Sequence, residues 1–341
     1  MQKKQTGKNI ILTIVFLVLL SVSFCYVNGR LCRKVADTRY YDLIHGEADP
    51  EVVFVGSSRV MDAVIPEQLW EEHGITSYLL CAEYNDMRRD IAMCKLAFQY
   101  CKPKLIVLDV GNYWSRSDAA DVLAAYHEYA DAFPLNRVKV ETTLELYGYS
   151  MNSVELLFPI YRYHERWKEL SRKDFRHNKT ESFEFKGFEY SAETEQIERY
   201  PFVEAENGVL LTEGTDVDYI REFIDWSRSQ GIEVMLVSVP YNAMEDEQAA
   251  LWGIAELARE CDVPYLNMVA MEDLVDPSYD FKNEFHMNYS GAEKVTARLG
   301  EYIADQWVEL GQADEATTQY WNASAEAFRE HLRKLEEEED K

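Results

Sequence analysis

Val52-Val-Phe-Val-Gly-Ser-Ser-Arg-Val60 decides the fold. An unbroken apolar run rich in valine reads as a strand of a parallel sheet buried on both faces. The run stops at Gly56 and delivers Ser57 and Ser58 to the strand's carboxyl end, where open α/β sheets bind their ligands. Gly-Ser-Ser is also a common strand-to-helix turn with serine as the helix cap, so the motif alone does not decide between turn and nucleophile.

A second stretch lies far along the chain, Asp280-Phe-Lys-Asn-Glu-Phe-His286-Met-Asn-Tyr-Ser-Gly-Ala-Glu-Lys294. A serine nucleophile needs a base to take its proton, and that base can come from a distant part of the chain. His286 is the candidate. Val295, Leu299 and Ile303 then repeat at helical spacing, with Ser290 as the expected N-cap.

Between these stretches strands and helices alternate. Strands are expected at 77–80, 105–108, 233–237 and 264–266, with helices at 66–72, 86–100, 216–230 and 245–261. Together with the first strand they predict a doubly wound, mostly parallel five-stranded α/β sheet, flavodoxin-like in layout. Residues 115–205 break the alternation. They are dense in Tyr and Trp, carry helical patterns at 118–130 and 154–171, and continue into a polar, aromatic segment at 183–200. This reads as an insertion over the carboxyl edge of the sheet, where aromatic faces suit sugar rings, although an aromatic stripe at helical spacing is also ordinary core.

Val53-Phe-Val-Gly-Ser-Ser-Arg59 with Pro66 and Leu69, Pro103-Lys-Leu-Ile-Val-Leu-Asp-Val110, and His286-Met-Asn-Tyr-Ser-Gly-Ala292 occur in this order over most of residues 50–308. In these pieces the chain resembles the SGNH (GDSL-type) hydrolases, in particular the membrane-anchored bacterial branch that includes teichoic-acid D-alanine transfer and alginate acetylation proteins. The resemblance implies a serine esterase or acyltransferase acting on small O-acyl groups, most plausibly acetyl, of an envelope or extracellular polysaccharide. A membrane acyl-donor protein is a possible partner. It makes Ser58 the nucleophile and His286 the base. It assigns Asn112, after the third strand, and Asn85, in the loop Cys81-Ala-Glu-Tyr-Asn85, to the oxyanion site. Tyr84 stands where the family has a glycine, and Asn283 where it has an aspartate three residues before the histidine. An amide can orient an imidazole but does not neutralise an imidazolium, and the Asp-to-Asn change in a serine protease lowers turnover by roughly 10⁴-fold. Asp280 is the alternative acid. A non-catalytic protein that binds a glycan or membrane partner through the same cleft is the competing reading.

At the N-terminus Lys3, Lys4 and Lys8 precede an apolar run from Ile10 to Val27. The run is just long enough to span a bilayer. A cleaved signal peptide has the same outline, but Ser21-Val-Ser23 followed by Phe24 and Cys25 is a poor cleavage site. The expected division is a cytoplasmic tip and transmembrane anchor at 1–29, a linker at 30–50, a hydrolase-like domain at 51–312 and an acidic helical tail at 313–341. The domain is expected outside the cytoplasm, although Arg30, Arg33, Lys34 and Arg39 after the span nearly balance the lysines before it.

The net charge is −26, and the anchor carries no acidic residue. The remainder is therefore strongly acidic with no basic stripe, which argues against nucleic acid and, at long range, against an anionic polymer. Six cysteines without a CxxC pair do not make a disulfide framework, and Cys94 and Cys101 read as core. His127 and His164 have no second ligand at metal spacing, and no cofactor is implied.

Overall fold

The computed structural model describes residues 2–32, 39–114, 119–175, 185–212 and 216–339. Parts of the expected linker and insertion, at 33–38, 115–118 and 176–184, lie outside the described residues. Strands β1 (Val52–Gly56), β2 (Ser77–Cys81), β3 (Leu105–Asp109), β4 (Glu233–Ser238) and β5 (Tyr265–Asn267) form one sheet in the order β2-β1-β3-β4-β5. Every neighbouring pair is parallel. This is the flavodoxin-like arrangement. All residues of β1, β2 and β3 are buried, as the continuous apolar runs require of strands covered on both faces.

The helices are α1 (Gln2–Leu31), α2 (Tyr41–Ile44), α3 (Ser58–Met61), α4 (Pro66–His73), α5 (Met87–Ala97), α6 (Ala119–Ala130), α7 (Arg137–Tyr147), α8 (Met151–Leu157), α9 (Ile160–Tyr163), α10 (Val217–Ser229), α11 (Glu245–Glu260), α12 (Tyr289–Gln306) and α13 (Glu315–Glu339). Two buried clusters flank the sheet. One joins Val53, Val55, Ile106 and Leu108 to α5, α10 and α11. The other joins Phe54, Leu79 and Val107 to α4 and α12, where Val295, Leu299 and Ile303 are fully buried. α1 includes one stretch, Gly7–Leu31, long and apolar enough to cross a membrane, and its apolar side chains from Ile10 to Val27 are exposed.

The expected helix over 154–171 is divided at Pro159. Phe158 takes an extended conformation (φ −132°, ψ 76°), as a residue before proline prefers, and the chain restarts as α9. Sequence periodicity also missed α7. Val138, Val140, Thr142 and Thr143 are β-branched and weaken its helical signal, but Asn136 caps it by accepting from the Lys139 N–H at 3.0 Å. Within the insertion, α7 packs along α5, α9 reaches the end of α1, and α6 brings Ala125 and Tyr129 to the carboxyl end of β2 beside Cys81. Residues 185–188 cover edge strand β2, where the Leu79 N–H donates to the Lys186 carbonyl at 3.0 Å. Such an edge otherwise offers unpaired backbone groups to other chains.

The acidic tail packs back on the domain. Trp321 is fully buried, donates its indole N–H to the Ala48 carbonyl at 3.0 Å, and stacks obliquely on Trp70 of α4. Phe328 and Leu332 continue that buried stripe. Beneath it Lys186, Asp42 and Glu67 form a fully buried ionic cluster (3.5 and 3.6 Å) joined by Ser324 and Tyr320 of the tail. Replacing Trp321 with Ala is expected to cost about 3–5 kcal/mol. Urea denaturation should show this as a lower midpoint at unchanged slope.

Candidate active site

The turn after β1 is built by exclusion of a side chain. A Cβ on Gly56 would lie 2.9 Å from the Val60 side chain and 3.0 Å from Asp109, so the strand can turn at once into α3 only with glycine there. Ser57 takes an extended conformation and Ser58 begins α3. The Ser58 backbone N–H has no acceptor among the described residues. Arg59 holds the turn against the next strand. Its guanidinium donates to the Gly111 carbonyl at 2.8 Å and lies 3.8 Å from the centre of the Tyr241 ring.

The histidine sits on a hairpin. β6 (Phe281–Asn283) and β7 (His286–Met287) pair antiparallel across a two-residue loop, Glu284-Phe285, so Asn283 and His286 are cross-strand partners. Spacing of three residues thus brings the two side chains side by side. His286 Nε2 lies 2.9 Å from Ser58 Oγ, and His286 Nδ1 lies 2.9 Å from Asn283 Oδ1. That amide oxygen also accepts the Phe285 backbone N–H at 3.0 Å. Asn283 is therefore turned with its oxygen, not its NH2, toward the ring. It follows that Nδ1 carries the imidazole proton and Nε2 is free to accept from Ser58. The amide thus selects the tautomer that a base requires, the opposite of the failure that an amide can cause at this position.

Asp280 is not the acid of this site. One carboxylate oxygen accepts the Ser290 hydroxyl at 2.8 Å, and the other accepts Lys294 Nζ at 2.5 Å and the Asp276 N–H at 2.6 Å. Asp280 is fully buried and braces the start of α12 instead. The cap of α12 is Asn288, which accepts the Gly291 N–H at 3.1 Å, and not Ser290, whose hydroxyl is given to Asp280.

Asn112 and Asn85 come together at the carboxyl ends of β3 and β2. Asn112 Nδ2 donates to the Asn85 carbonyl at 3.1 Å, and its second N–H has no partner among the described residues. Asn85 donates one amide N–H to Asp90, 2.5 Å away, and holds Asn112 with its carbonyl. Tyr84, the residue in the glycine's place, has φ +50°, a left-handed conformation that glycine adopts without strain. The backbone shape expected of glycine is retained despite the side chain.

Charges around the histidine are cationic. Lys282 pairs with the buried Asp62 at 2.7 Å, tying the hairpin to the end of α3. Burial pushes the Asp62 carboxyl up to about 7 against the pull of Lys282. Burial, then Lys282 and Arg59, pull the His286 imidazole down to about 4. The sequence reading gave no role to Lys282 or Arg59, and it placed 189–197 in the insertion over the carboxyl edge without the strap it makes to the hairpin. The strap accepts the Tyr289 N–H at Ser191 and donates to Phe281 from Glu195, both at 2.8 Å. The charge of Arg59 beside Ser58 was the one signal available for any of these.

No model of a known protein family matches the chain, and no curated protein matches it.

Asn283→Asp places a carboxylate where the amide now stands, and an opposite charge at this range raises an imidazole pKa by about 1–3 units. NMR titration of the His286 ring should show its transition near pH 4 in the wild type and higher in the variant.

Proposed function

We propose that this chain is a membrane-anchored serine esterase or O-acyltransferase of the SGNH type, with its catalytic domain outside the cytoplasm. The observation that carries the reading is the Ser58–His286–Asn283 chain of two 2.9 Å contacts at the carboxyl edge of the sheet. The parallel strand order with serine after β1, and histidine just before the last sheet-covering helix, supports it. Ser58 Oγ attacks the ester carbonyl as its proton passes to His286 Nε2. We assign the developing oxyanion to the Ser58 N–H and an N–H of Asn112, and losing one such donor typically costs about 10²–10³ in turnover. The imidazolium returns its proton to the departing alcohol, leaving an acyl-serine. Water or a glycan hydroxyl, deprotonated by the same ring, then releases the acyl group and restores Ser58. An acetylated neutral polysaccharide fits the acidic surface better than an anionic polymer does.

One observation favours a second reading, in which the cleft binds a glycan or a membrane partner without turnover. Among the described residues the imidazolium has two cations nearby and no carboxylate beside it, so proton uptake by His286 is unfavourable.

Labelling by a fluorophosphonate probe separates the two. Esterase chemistry requires labelling of wild type and none of Ser58→Ala, and an unlabelled wild type leaves only binding. With p-nitrophenyl acetate, His286→Ala should abolish turnover. Asn283→Asp should raise it, by up to about 10⁴-fold, the size of the reverse change in a serine protease. A base whose proton affinity is pulled down to about 4 stays unprotonated until the pH falls that far. The acid limb of kcat/KM should therefore lie near pH 4, below the ordinary histidine value, and move upward in Asn283→Asp.

A further inference from the structure

Of the large apolar side chains exposed outside α1, one group falls between residues 135 and 175, while the others, among them Tyr84, Met244, Tyr279 and Val308, are scattered along the chain. Leu135, Tyr149, Met151, Tyr161, Trp167 and Phe175 all lie in the insertion and all are roughly half or more exposed, Tyr149 almost completely. This is also where the insertion grips the anchor. Asn28 accepts the Ile160 N–H at 2.9 Å, Arg166 donates to the carbonyls of Leu31 and Cys32, and Arg30 donates to the Asp174 carbonyl at 3.2 Å.

Depth along the anchor decides what that grip implies. Phe158 packs edge-on against Phe24, with ring centres 5.8 Å apart. Phe24 belongs to the run Ile10–Val27, whose length as a helix, at about 1.5 Å per residue, only just matches a hydrocarbon layer of about 30 Å. If the run spans the bilayer, Phe24 lies about one helical turn inside its domain-side end, so a side chain touching it lies at the hydrocarbon boundary. A cavity of about 450 Å³ opens between anchor and insertion at the same level, lined by Phe24, Cys25, Phe133, Leu135, Leu157 and Phe158 among others. Arg162, Lys168 and Arg172 accompany the exposed aromatics, Lys168 paired with Glu165 at 3.5 Å, and Glu155 and Glu169 lie in the same stretch. Apolar and aromatic side chains mixed with basic ones match the headgroup and acyl boundary of a bilayer, where Trp and Tyr concentrate and long cations reach the headgroups.

We propose that residues 149–175 are a second membrane contact, a collar around the domain-side end of α1 that seats in the bilayer boundary and admits lipid acyl chains to the cavity beside Phe24 and Phe158. This rests on α1 spanning a membrane and is independent of any catalytic role. The collar would fix the tilt of the domain on the membrane, which a single helix with a linker does not do.

Trp167 supplies the test, because it is highly exposed whereas the other six tryptophans are buried or half-buried. The full chain, one copy per nanodisc, is prepared with ordinary or with acyl-brominated phospholipid, and tryptophan emission is compared for wild type and Trp167→Phe. The expected result is bromolipid quenching of wild type, most of it lost in Trp167→Phe, together with weak quenching of the Trp167 emission by aqueous acrylamide. Emission from Trp167 that acrylamide quenches freely and bromolipid does not would place the collar in water and overturn the proposal. Protection from both quenchers would mean that protein covers the collar, which overturns it equally.

Discussion

The parallel pairing of β1 with β3 is the constraint on which the rest depends. Val52 to Val55 pair with Leu105 to Leu108 in one register, so both strands end at the same level. At that level the two backbones come so close that Gly56 meets Asp109 where a side chain would stand. The buried Asp109 in turn accepts the N–H groups of Gly111 and Val239, drawing the loops after β3 and β4 to the same edge. Ser58, Arg59 and Asn112 are consequences of this arrangement. A parallel sheet buried on both faces has no freedom to slip, because a one-residue shift would turn every side chain to the other layer.

The second half of the site is polar and is held differently. A two-residue hairpin sets Asn283 opposite His286, and three separate ties fix the hairpin: Lys282 to Asp62, the Asn242 N–H to the Glu284 carbonyl, and the strap through Glu195 and Ser191. Each tie comes from a different part of the chain. The histidine is therefore rigidly placed yet electrostatically unassisted. Its tautomer is right for a base, and its proton affinity is low for one. Orientation and charge stabilisation, which a single aspartate would supply together, are separated here.

Away from the site, the anchor end is bonded to the insertion, and the tail closes over the cluster of Lys186, Asp42 and Glu67. Burial lowers the proton affinity of Lys186 and raises that of Glu67, to about 7, so the charges stay in place only because they face one another. Breaking one partner of such a cluster leaves an uncompensated buried charge, which is more costly than losing a surface pair. The linker, the segment over β2, α4 and the tail are thus joined at one interior point.

Much of this was legible beforehand. Continuous apolar runs marked β1 and β3, which are buried throughout, and the apolar part of β4. The half-buried β5 was placed by the alternation of strands and helices, and the spacing of Val295, Leu299 and Ile303 gave α12. The tail was legible as an acidic helix, and Trp321, Phe328 and Leu332 are the side chains that dock it. Signals that depend on a partner elsewhere in the chain were not legible. Asp280 and Asn283 were indistinguishable as partners of His286 until the hairpin register set one beside the ring and Lys294 claimed the other. α7 was hidden by β-branched residues that its packing on α5 overrides. Sequence by itself determined the sheet, its carboxyl edge and the serine and histidine brought there, since these follow from local pattern and burial. Tertiary structure alone decided the histidine's tautomer, its cationic surroundings and the insertion's hold on the anchor, since each is a contact between residues far apart in the chain.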